Sequence, residues 1–154
     1  MKLNFKFFVF LLVIITSVNC NPSKKNITNT NDAMTSKKTD ASLTGTYWKL
    51  IELRGKPVGI TPVDKKEIHI KFIPEGNKVE GFGGCNGFGG NYTTKNDFNI
   101  SINNIISTMI ACPDLDTENE LFNVLKTADN YYVKGDTLSL NKARMATMAK
   151  FVKQ

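Results

Sequence analysis

The stretch that decides the fold is "EGFGGCNGFGGNYTT", residues 80–94, in which six glycines surround Cys85. Asn86-Gly87 between two strand-like runs reads as a β-hairpin with a type I′ turn. A two-residue turn at that point pairs Cys85 with Phe88, Gly83 with Gly90 and Gly81 with Tyr92. One face then carries Val79, Gly81, Gly83, Cys85, Phe88, Gly90 and Tyr92, and its composition turns it inward. The other face carries Glu80, Phe82, Gly84, Gly89, Asn91 and Thr93. The missing side chains leave room for a bulky neighbour, an amphipathic helix or an aromatic such as Trp48. Strand glycines also permit the bulges and coiling that a small barrel needs.

Other chemistries for a glycine-rich stretch fail on residue types. A phosphate-binding loop ends in Gly-Lys-Ser/Thr, which is absent, and Asn86 stands where the third glycine of G-x-G-x-x-G belongs. No helix follows to aim its N-terminus at an anion. A nucleophilic cysteine needs a base. The single histidine, His69, lies on the polar face of its strand and reads as a solvated surface residue. Zinc needs more ligands than His69, Cys85 and Cys112. Asp114, Asp116, Glu118 and Glu120 lack the spacing and glycine of a calcium loop and read as compensation of a helix dipole. No catalytic, cofactor or metal site is therefore expected.

Outward from the hairpin, the periodicity is mostly that of strands. "TGTYWKLIELRG" places Trp48, Leu50 and Leu53 in a strand that ends at Gly55. "KEIHIKFI" alternates Ile68, Ile70 and Phe72 against Glu67, His69 and Lys71, a half-buried strand followed by the turn Pro74–Asn77. "DFNISI" alternates through Phe98, Ile100 and Ile102. Then "CPDLDTENELFNVLKTA" sets Leu121, Phe122, Leu125 and Ala128 at helical spacing, with a capping box offered by Thr117 and Glu120 and with Lys126 near the C-terminal end. "NYYVKGDTLSLN" reads as two strands around Gly135-Asp136, and "MATMAKFV" as a last one. The expected fold is α+β: a small curved antiparallel sheet or partial β-barrel with one amphipathic helix packed across it.

The N-terminus is a different kind of sequence. Lys2 and Lys6 precede the apolar run Phe7–Ile15, the pattern of an export signal over residues 1–19. Cys20 closes it and resembles the lipid-accepting cysteine of bacterial lipoproteins, although Ser17-Val18-Asn19 departs from the usual Leu, small residue, Gly or Ala. An ordinary secretory signal is the alternative. Residues 20–44 then read as lipid-anchor cysteine and polar, disordered tether, with the domain from Gly45 to Gln154. The net charge of +6 comes mostly from the signal and tether lysines. No basic stripe with interleaved aromatics suggests nucleic acid as a partner. Export also means an oxidising compartment, in which Cys85 and Cys112 read as a disulfide stapling the helix start to the glycine hairpin, two buried free thiols being the alternative.

Taken together, "TYWKLIELRGKPV", "GGCNGFGGNY", "STMIACPDLDTENELFNVL" and "YYVKGDTLSLN" resemble the META domain, also called the HslJ family. The motif positions are Trp48, Gly55, Pro57, Gly84, Cys85, Asn86, Tyr92, Thr108, Met109, Cys112, Gly135, Leu138 and Leu140. The resemblance implies a small antiparallel β structure packed on a helix in an exported protein, often a lipoprotein, with ties to heat shock or antibiotic tolerance and no established catalytic activity. The expectation is a non-enzymatic cell-envelope lipoprotein that acts by binding. It would be anchored through Cys20, in the outer membrane facing the periplasm because Asn21 rather than Asp follows the cysteine. Its partner would be an envelope protein or a small apolar ligand. The alternatives are a thiol-disulfide redox protein using Cys85 and Cys112, and a carrier with an apolar pocket beneath the helix.

Overall fold

The computed structural model describes residues 41–59, 66–113 and 115–154. The export signal, Cys20, the tether up to residue 40 and Asp114 lie outside the described residues. The strands are β1 (Tyr47–Leu53), β2 (Lys56–Pro57), β3 (His69–Ile73), β4 (Lys78–Phe82), β5 (Gly87–Lys95), β6 (Asn99–Ser107), β7 (Asn130–Lys134), β8 (Thr137–Asn141) and β9 (Ala149–Lys153), with α1 (Asp116–Thr127) between β6 and β7. Strand alternation forms them. In β3 Ile70 and Phe72 are buried and their neighbours are not, and β1 buries Trp48 and Leu50 and, past a bulge, Leu53.

All pairings between the named strands are antiparallel and join neighbours along the sheet, and β1 also pairs with β9 along most of its length. The barrel is therefore closed rather than partial. β2 is a two-residue spur on β1, so of the nine strands eight form the wall. Eight strands leave an interior just wide enough for side chains. Here Trp48, Leu50, Ile70, Phe72, Leu138, Leu140 and Phe151 meet inside it, all but inaccessible. The weakest seam lies between β6 and β7, which share the single register pair Asn99 and Asn130.

α1 belongs to the same core, burying Leu121, Val124 and Leu125 completely. Phe122 sits at its margin, edge-on to Phe88 with ring centroids 5.2 Å apart. Leu121, Leu125 and Ala128 were legible from spacing, and Val124 completes the face. The capping box does not form. The N-cap residue is Leu115, with no side-chain cap. Glu120 instead accepts from Arg54 Nε at 2.6 Å, and Glu118 turns away from solvent altogether.

Three further expectations change. Phe98 is 59% exposed, because the alternation that buries Ile100 and Ile102 begins only at Asn99. The last strand starts at Ala149, after a turn that leaves Met145 exposed. The domain also begins before Gly45. Leu43 is buried, its carbonyl accepts the Trp48 indole N–H at 2.9 Å, and Ala41 N–H donates to Gly135 O. Residues 41–44 are thus part of the folded unit rather than of the tether.

Candidate functional site

The hairpin in the opening stretch turns earlier than Asn86-Gly87 suggests. Phe82 pairs with Gly87, Gly81 with Phe88 and Val79 with Gly90, leaving Gly83–Asn86 as a four-residue loop closed by Gly83 N–H to Asn86 O at 2.8 Å. The turn lies two residues earlier than expected, so each β5 residue meets a β4 partner four residues before the expected one. Because side chains alternate with period two, an even displacement preserves every face. Val79, Gly83, Cys85, Phe88 and Tyr92 are all buried, as expected from composition.

The cause of the displacement is Glu118, 5% exposed, on the first turn of α1. Its Oε2 accepts the backbone N–H groups of Cys85 at 3.0 Å and Asn86 at 2.6 Å, and its Oε1 accepts Asn86 Nδ2 at 2.7 Å. A carboxylate with three N–H donors is well satisfied in the interior without a cation. Those two amide groups cannot be held this way while Asn86 sits at the centre of a two-residue turn. Gly83 is required by the same contact, since a Cβ there would lie 2.9 Å from Glu118 Cγ.

Asn86 is the hub. Its Oδ1 accepts Thr108 Oγ1–H at 2.9 Å and Ile110 N–H at 2.8 Å, while Nδ2 also reaches Ile110 O at 3.4 Å. Two motifs far apart in sequence, Gly84-Cys85-Asn86 and Thr108-Met109-x-x-Cys112, are therefore halves of one clamp. Cys85 and Cys112 complete it. Their Cα atoms are 6.2 Å apart and their sulfurs lie at bonding distance, within the separation a disulfide requires. The clamp holds the connection from β6 to α1 against the hairpin loop. Met109 takes no part in it and stands 96% exposed, with Ile106 and Ile110 also exposed beside it.

The remaining motif residues build the frame. Tyr92 packs edge-on to Phe72 with centroids 5.1 Å apart, and burial pushes its phenol above the usual value. Gly55 sits in the β1–β2 turn at φ 78°, Pro57 pairs with Glu52, Gly135 lies in the β7–β8 turn, and Leu138 and Leu140 are core. Phe88 stands over Gly81 and Glu118 of α1 over Gly83, so an aromatic other than Trp48 and the helix share the space over these inward glycines. His69 lies on the outward face of β3, as expected, but is only partly solvated. It stacks on Tyr47 with centroids 4.3 Å apart, half-buried, and its Nδ1 donates to Glu67 O. Among the described residues, no three His, Cys, Asp or Glu side chains converge as a metal site would need.

A family model, META domain, matches residues 41–154. The chain belongs to the META domain family. The match opens at Ala41 and so takes in the buried Leu43. Solved structures show the same fold. A protein from Burkholderia xenovorans determined by NMR aligns with a TM-score of 0.57 at 22% identity, covering 73% of this chain and 83% of that one. A DUF4847 family protein from Bacteroides vulgatus, determined by crystallography, aligns with a TM-score of 0.52 at 19% identity, covering 71% and 93%. No curated protein matches this META chain. The buried carboxylate was the feature sequence reading missed. The only signal was the i, i+3 spacing of Glu118 from Leu121, which puts it on the inward face of α1.

Proposed function

We propose that this META protein is a non-enzymatic cell-envelope lipoprotein that acts by binding in stress or antibiotic tolerance. The observation that carries the reading is the clamp. Asn86, Glu118 and Thr108 spend their polar atoms on one another and on backbone, so the motif residues make a rigid scaffold rather than a set of groups waiting for substrate. The export-type N-terminus and Cys20 support attachment to a membrane. Acyl chains contribute about 0.8 kcal/mol per buried CH₂, so two or more of them hold a protein firmly.

Cell fractionation tests the anchor. The wild-type protein should follow the membranes, and Cys20→Ser should release it or leave it unprocessed. A wholly soluble wild-type protein with an unmodified mature N-terminus defeats the proposal. The redox alternative draws on the Cys85–Cys112 pair. Thiol titration after mild reduction separates the two: a scaffold bond resists reduction, whereas a working pair reduces readily and shows a low-pKa thiolate. The carrier alternative is disfavoured by a barrel interior already filled with Trp48, Phe72, Phe151 and the apolar face of α1.

A further inference from the structure

An open groove of about 540 Å³ crosses the outer face of the sheet from β3 to β6. Register sets its walls. Glu80 on β4 pairs with Gly89 on β5, which pairs with Ile106 on β6. Neighbouring strands are about 4.8 Å apart, so the two walls stand roughly 10 Å apart over bare β5 backbone. That gap accepts one ring. On the β6 side the wall is apolar, since Ile106 is 74% exposed. On the β4 side it is the Glu80 carboxylate, which makes no hydrogen bond or ion pair with the described residues. An ionised carboxylate only accepts, so an occupant must bring donors.

We propose that this groove binds a neutral sugar chain, with one pyranose ring seated over β5 between Ile106 and Glu80. Lys71 on β3 pairs in register with Glu80, so at the ring position itself one charge of each sign faces the groove, while Lys78 stands further along β4 opposite Asn91. Beyond the groove along β5, Asn91 and Asn103 form a cross-strand pair of exposed side chains, Asn103 Nδ2 donating to Ser101 Oγ at 3.0 Å. Amides offer donors and acceptors together, which matches hydroxyl groups and not hydrocarbon. His69 lines the far wall, its Nε2 left over by the Nδ1 contact to Glu67 O. An open trough with one apolar wall and planar polar groups suits a chain of rings lying along it, whereas drug-like apolar ligands favour enclosed pockets. The floor agrees: a Cβ at Gly87 or Gly89 would meet nothing nearer than 3.8 Å, so packing does not require those glycines, yet side chains there would fill the trough. The inference rests on the binding role proposed above and names its ligand class and its site.

The test is a titration of the ¹⁵N-labelled full chain with cellotriose to about 20 mM, which covers affinities in the millimolar range. Amide shifts are expected at Gly87, Gly89 and Ile106, and Gly89→Val should weaken binding at least about tenfold with the melting temperature held. Should Gly89→Val fail to fold, Ile106→Ser and Glu80→Gln carry the same expectation. No shifts, shifts elsewhere, or variants that bind like wild type overturn the site. Stronger shifts at the same amides with tryptamine than with cellotriose overturn the ligand class. Either failure is independent of the membrane fractionation of Cys20→Ser, so the ligand and the anchored binding role stand or fall separately.

Discussion

Two halves of one glycine-rich hairpin use the same residue for opposite reasons. On the inward side, Gly81 and Gly83 are crowded: an added Cβ at Gly81 would lie 2.2 Å from His69 O and 2.6 Å from the Phe88 ring, and at Gly83 it would strike Glu118. On the outward side, Gly87 and Gly89 have ordinary space around them. The first pair exists because neighbours arrive; the second leaves a trough that no neighbour occupies. Glycine in a strand weakens it in either case. Only in the crowded half does the fold itself account for that weakness.

The most direct test of this contrast is Gly81→Ala. The nearest atom is a backbone carbonyl, which cannot swing aside as a side chain would. A loss of about 3 kcal/mol, at the upper end of overpacking costs, is expected in denaturant melts. A melt within about 0.5 kcal/mol of wild type, the usual range for surface changes, would erase the distinction between the two halves. Next comes the clamp that brings the neighbours in. Cys85 and Cys112 are 27 residues apart in sequence. Replacing both by Ala should cost about 3.5 kcal/mol on the chain-entropy estimate, read as a lower midpoint with an unchanged far-ultraviolet spectrum. Non-reducing peptide mapping that recovers free thiols at both positions breaks the expectation. The smallest effect belongs to the open half. Gly89→Ala should be neutral or stabilise by up to about 1 kcal/mol, since it restores a side chain where there is room and restricts the unfolded chain. Clear destabilisation there would show that the outward glycines too are held by packing.

Much of this was legible because strands report their faces locally. Ile68, Ile70 and Phe72 are buried, and so are Leu138 and Leu140 on the strand that follows the turn announced by Gly135-Asp136. The inward face of the hairpin came out correctly even though its turn was misplaced, because an even displacement leaves alternation intact. Phe98 shows the limit: it continues the pattern on paper but sits in the β5–β6 connection, past the point where pairing enforces a face.

By itself, then, the sequence determined which apolar residues of the strands face inward, Phe98 apart, and that one helix with Leu121 and Leu125 packs on them. These depend on side-chain period, which is local. Tertiary structure alone decided the closure of β1 onto β9, the register of the glycine hairpin, and the union of Asn86 with Thr108 and Glu118. The deciding contact is a carboxylate 32 residues beyond the amide it captures. Its burial costs too much without those donors, and the loop keeps its shape only with that acceptor. Neither half of such an agreement is visible until the chain has brought both together.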